Sequence, residues 1–200
     1  GGPMVILALL SLTGCMTLAR TKGAKTLEKG QVELAMLGPA VRRSNDPALK
    51  IPIPQGGVEF RIGVGKDVDL GFQGYLLGAG FDVRYRFYHR GKLHLAVAPG
   101  FGMILQPNIL NPNDWGGFEG KLPVTGEVEL TRWLNLSGGP QVVMRERLNT
   151  GFEGAVWRFD LYTGAGLRAE AHGGLFAIGA AFDVMFAPTR FTHQPLYVAG

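Results

Sequence analysis

Between residues 81 and 88 the chain reads Phe81-Asp82-Val83-Arg84-Tyr85-Arg86-Phe87-Tyr88. Odd positions are aromatic or branched and even positions begin Asp, Arg, Arg. Successive side chains of a β-strand point to opposite faces, so one face here is oily and the other carries bare charge. No helical period accommodates this pattern. The stretch has to be a strand, and a strand of this kind needs two different environments.

The rest of the chain repeats the plan in about ten segments of period two. Val32-Leu34-Met36, Val58-Phe60-Ile62-Val64 and Val68-Leu70-Phe72 precede the opening stretch. Leu93-Leu95-Val97 with Phe101-Met103, Leu122-Val124 with Val128-Leu130, and Leu134-Leu136 with Val142-Met144 follow it. Trp157-Phe159-Leu161, then Phe176 to Phe186 in alternation, come next. Leu196-Tyr197-Val198 starts a tenth segment, which reads as cut short at Gly200. Short connections are expected near 65–67, 89–92, 131–134 and 171–174. Longer ones are expected near 39–56, 106–117, 147–154 and 187–194, with 77–80 a short exception. Pro99 and Pro140 fall inside expected strands, where each removes a ladder donor, so bulges or earlier strand ends are required. The expected fold is all-β: an antiparallel up-and-down β-barrel of about ten strands, truncated at the last.

Which face meets water is argued from charge. Lysines keep to the front of the chain, loops, turns or strand ends: Lys22, Lys25, Lys29, Lys50, Lys66, Lys92, Lys121. The polar faces carry Arg61, Arg84, Arg86, Arg145, Arg158 and Arg168 instead. The planar guanidinium suits confined, paired charge. The same faces hold Glu33, Glu59, Asp69, Asp82, Glu127, Glu129, Asp160, Glu170 and Asp183. Opposite charges interleaved with Gly and Ala describe a narrow interior filled by ion pairs, with the oily face outward. Unpaired charges in such an interior would each cost several kcal/mol, so the pairing has to run across neighbouring strands. Trp115 and Trp157 sit toward the longer loops and Trp133 at a short turn, as interface aromatics would.

The front of the chain is different. Met4-Val5-Ile6-Leu7-Ala8-Leu9-Leu10 is an apolar run too short to span a bilayer, and it leads to Leu12-Thr13-Gly14-Cys15. Residues 1–14 read as the remnant of a secretory signal lacking its basic start. Residues 15–30, with Lys22, Lys25 and Lys29 and little apolar periodicity, read as a tether. Residues 31–200 are the barrel domain.

Leu12-Thr13-Gly14-Cys15 resembles the bacterial lipobox. The resemblance implies cleavage before Cys15, acylation of its thiol and, with Met16 next, sorting to the outer membrane. From residue 31 onward the periodicity, loop alternation and charged polar face resemble the small bacterial outer-membrane β-barrels, the OmpA-like and OmpW-like class. That resemblance implies a single-chain barrel, periplasmic termini and outward loops. The chain departs from the class in lacking a terminal aromatic residue.

Chemistry finds little support. Ser11, Ser44 and Ser137 lack a neighbouring base, and His89, His94, His172 and His193 are scattered. Glu127 and Glu129 share a face, but nearby Arg gives them a structural role. No metal-ligand spacing or phosphate loop occurs, so neither enzyme activity nor a cofactor is expected. A net charge of +4 without a Lys/Arg block argues against nucleic acid. The expected partner is outer-membrane lipid, and the expected state is a monomer. Three functions stay open: a lipid-anchored structural or interaction barrel with a charge-filled lumen, a narrow small-solute pore, and a soluble β-barrel lipoprotein binding a small apolar ligand.

Overall fold

A computed structural model describes residues 22–37, 57–75, 78–104, 114–151, 154–173, 176–185 and 189–192. Among these residues there is no helix. Eleven strands form one antiparallel sheet: β1 (Val32–Leu37), β2 (Gly57–Gly63), β3 (Val68–Tyr75), β4 (Gly78–Arg90), β5 (Leu93–Val97), β6 (Gly100–Ile104), β7 (Asp114–Thr131), β8 (Leu134–Gly151), β9 (Gly154–Gly173), β10 (Phe176–Met185) and β11 (Thr189–Thr192).

The order is β1-β2-β3-β4-β5-β7-β8-β9-β10, with β6 between β4 and β7 and β11 on β9. β5 and β6 are two halves of one lane, since both pair with β4 and β7. β10 and β11 likewise share one flank of β9. The sheet is therefore a meander of nine lanes in sequence order. Cys15 and Leu196-Tyr197-Val198 lie outside the described residues, as does the whole of the expected loop at 39–56.

The two prolines behave differently. Pro99 splits β5 from β6, but its neighbours keep the lane attached. Val83 N–H donates to Pro99 O (3.0 Å) and Ala98 N–H to Pro123 O (3.1 Å). Pro140 stays inside β8 opposite Ala165 of β9. Its ladder to β7 lapses between Gln141 and Gly138 without a shift of register, so no bulge is needed there. The one irregularity in β4 lies between Arg86 and Tyr88, where Phe87 is the extra residue.

The connections correct the expected loop lengths. β8 runs to Gly151 and β9 starts at Gly154, so the long link expected at 147–154 is two residues. β7 already begins at Asp114, and β11 occupies part of the expected 187–194 loop. Asn149, Thr150 and Gly151 are turn-formers by type, yet each is paired with β9.

Side-chain burial is inverted. β7 alternates buried Glu119, Lys121, Thr125 and Glu127 with exposed Phe118, Leu122, Val124, Val128 and Leu130. In β4, Asp82 and Arg84 are buried while Phe81, Tyr85 and Phe87 are exposed. Among the described residues the buried apolar side chains are Ala24, Ala96, Ala98, Pro123 and Val143, all small or medium-sized. Register lines the exposed residues up into a row: Leu34, Phe60, Phe72, Phe81 and Phe101 face one another across β1, β2, β3, β4 and β6. Phe118 stacks on Phe101 at 5.6 Å and extends the row to β7.

Residues 22–30, expected as a tether, lie against the polar face. Lys22, Ala24 and Thr26 are buried there in alternation. The segment turns at Gly30, whose φ of 83° is the left-handed region that favours glycine, and enters β1.

Candidate functional site: a buried charge network

The network starts from register. Glu33, Arg61, Gly71, Asp82, Gly100 and Lys121 face one another in a line across six lanes. Gly71 and Gly100 leave the space that the long cations cross. A β-carbon at Gly71 would collide with the Arg61 guanidinium, and one at Gly100 with the Lys121 stem. Each cation thus reaches past its neighbouring strand to Asp82.

Asp82 is the hub. It accepts from Arg61 Nη2, Lys22 Nζ (2.6 Å) and Gln73 Nε2 (2.7 Å), and Lys121 Nζ lies 3.5 Å away. Arg61 also donates Nε to Glu59 (3.0 Å) and Nη1 to Asp69. Asp69 receives Arg84 through Nε (3.0 Å) and Nη2 (2.6 Å), and the Leu27 N–H (3.1 Å). Lys22 divides itself between Asp82 and Glu59 (2.7 Å). Asp69, Asp82 and Arg61 are at most 2% exposed. Charges this deep are tolerable only when each has a partner, and this mesh supplies several per group. Burial pushes the Lys22 ammonium well below the usual lysine range, with Lys121 adding to it and Glu59 opposing.

Three further clusters follow along the same face. Glu119 takes Arg145 through Nε (3.2 Å) and Nη2 (2.6 Å), with the guanidinium 5.6 Å from the Tyr162 ring centre. Asp160 is buried beside them on β9 and accepts from Tyr162 Oη (3.4 Å). Glu127 accepts the Ala24 (2.6 Å) and Lys25 (3.1 Å) N–H groups and Asn135 Nδ2 (2.9 Å). Glu129 pairs with Lys25 (2.9 Å), and His94 Nε2 lies 3.3 Å from it without hydrogen-bond geometry. His94 instead stacks on His89 at 4.5 Å. Arg168 and His172 both meet Glu170, and Gln141 donates to Asp183 (3.1 Å).

Of the residues expected in the network, Glu59, Arg61, Asp69, Asp82 and Arg84 form one cluster. Arg86 stands apart, at the β2–β3 turn, bound to Asp67 through Nε (3.0 Å) and Nη2 (2.6 Å). Glu127, Glu129, Arg145, Asp160, Arg168 and Asp183 belong to the neighbouring clusters. The side chains of Arg158, Trp115 and Trp157 lie outside those described. The Trp133 side chain is half exposed at the β7–β8 turn, and its backbone N–H donates to Thr131 Oγ1 (3.2 Å).

The expectation that Lys keeps out of the strands fails at Lys121, which lies inside β7, whereas Lys22 reaches the same face from the front segment. Both are buried in the central cluster, where the carboxylates outnumber the Arg that can reach them. Glu119 and Lys121 were legible had the alternation of β7 been followed back from Leu122 through Gly120 to Phe118. Gln73 sits in phase with Asp69 on β3. Lys22-Ala24-Thr26 carries only a faint period-two pattern.

Among the described residues no group of three His, Cys, Asp or Glu side chains converges as a metal ion requires.

No protein-family model, curated protein or solved structure matches this chain.

Proposed function

We propose that this chain is a lipid-anchored outer-membrane β-barrel with a structural or interaction role and a closed, charge-filled lumen. The observation that carries the reading is the inverted burial. An exposed sheet face of Phe, Leu, Val and Met needs an apolar solvent, and lipid is that solvent. A soluble barrel holding an apolar ligand needs an oily interior, whereas the described apolar side chains that are buried are three alanines, one proline and one valine.

Two observations support closure of the sheet. Apart from the short segment 22–30, no described part of the chain lies over the charged face, and a sheet curved round on itself accounts for its burial. Arg168 of β9 also lies within electrostatic reach of Glu59 on β2 and Glu33 on β1, at the far end of the strand order. Nine lanes leave β1 and β10 running the same way. An all-antiparallel ring therefore takes one more strand between them, in keeping with the even strand numbers of bacterial barrels. Dimensions agree as well. Phe118 to Leu130 on β7 spans ~40 Å along the strand, or ~28 Å upright at a ~45° tilt, against a band of ~25 Å in such barrels. Cys15, in its lipobox-like setting, is the proposed acylation site and the chain's second hold on the membrane.

Planar-bilayer recording tests the closed lumen. Inserted wild-type protein is expected to conduct little. Large, steady currents would favour the narrow-pore alternative.

A further inference from the structure

Residues 22–29 join no β-ladder. Their backbone is held by charged side chains instead. Glu127 accepts two consecutive N–H groups, Asp69 accepts that of Leu27, and Arg84 Nη1 donates to Gly23 O (2.9 Å). Lys22 adds its own ammonium to Glu59 and Asp82. The segment touches β2, β3, β4 and β7. In a flat sheet β2 and β7, four lanes apart, would lie ~19 Å from each other at ~4.8 Å per lane. Bonds from one short peptide to both strands fit a polar face that curves around it. It runs from the level of Glu59 and Asp82 toward Gly63 at the tight-turn end, where Gly30 N–H meets Gly63 O (2.8 Å).

We infer that residues 22–29 are a built-in, displaceable plug, and that withdrawing them opens a cation-selective path through the charged interior. The inference rests on the barrel reading. A strand in the ladder could not leave without breaking the sheet, whereas this one is attached by side chains and by the hinge at Gly30. Its departure strips partners mainly from carboxylates. Glu59 loses Lys22, Glu127 loses two N–H donors and Glu129 loses Lys25. Arg84 loses only the Gly23 carbonyl and keeps Asp69. The exposed lining is left with uncompensated negative charge, the arrangement that selects cations in pores.

The test uses the full chain with a sequence-specific protease site inserted at the exposed Lys29–Gly30 turn. The protein is folded into vesicles first, then moved to a planar bilayer and cut from the tight-turn side. Uncut protein is expected to be silent. After cutting and loss of the segment by mass spectrometry, steady current should appear, with a reversal potential in a KCl gradient on the cation side. A synthetic peptide of residues 22–29 should block it, and the same peptide with Lys22→Glu should not. Protein that is cut, has released the segment and remains silent would overturn the inference, as would anion selectivity or full current before cutting. Lys22→Glu in the uncut chain gives a second measurement. Brief cation-selective openings are expected from it, and a record as silent as wild type would count against the plug. Failure of the uncut protein to float with vesicles would instead overturn the barrel reading itself.

Discussion

At the scale of single residues, Asp82 decides most. Three cations and one amide converge on a carboxylate that is 1% exposed. Removing it leaves Arg61, Lys22 and Lys121 short of a partner in an interior that cannot hydrate them. Asp82→Ala should cost about 3–5 kcal/mol, the range for breaking a buried ion pair from one side. Asp67→Ala breaks an ion pair of similar geometry at the β2–β3 turn, where water screens it, and should cost about 0–1 kcal/mol. Urea titration of the protein refolded in lipid vesicles compares the two. Equal costs would mean that the interior around Asp82 is wet. The charge types of this cluster were legible from sequence, because Glu59, Arg61, Asp69, Asp82 and Arg84 keep one phase of a period-two pattern. Their connections were not. Lys22 lies 60 residues from Asp82, and the Ala24 N–H lies 103 from Glu127. No local pattern encodes a backbone amide docking on a distant carboxylate.

At the scale of elements, β4 holds both environments within thirteen residues. Up to the bulge at Phe87 its odd side chains reach outward, while Asp82 and Arg84 join the network. Val83 lies mid-strand on the outward phase. Val83→Arg should cost about 2–4 kcal/mol if that point is near the bilayer midplane, while Val83→Leu should be close to neutral. Folding titrations in lipid measure both, and a neutral Arg would place that face in water. Strand existence was legible wherever the two environments alternate, as in β4 and β7. Strand ends were not. The β8–β9 hairpin runs on through Asn149, Thr150 and Gly151, where Asn and Gly mask continued pairing. Pro99 calls for a bulge or an earlier strand end, and the second is seen: β5 ends at Val97 and the lane resumes at Gly100, held meanwhile by the Pro99 carbonyl, which accepts from β4.

At the scale of the whole molecule, the claim is that oily residues face lipid and charged ones face inward. Phe81 and Tyr162 offer reporters of the two faces. Register puts Tyr162 in the line of Asp82 through Gly100, Lys121 and Val143, on the face opposite Phe81. In a background with Trp115, Trp133 and Trp157 changed to Phe, single tryptophans are introduced as Phe81→Trp or Tyr162→Trp. Each protein is refolded into vesicles of lipid brominated along the acyl chain, and tryptophan fluorescence is read against unbrominated vesicles. Strong quenching of the Phe81→Trp protein with little quenching of the Tyr162→Trp protein is the predicted result; quenching of the second alone, or of neither, would contradict it.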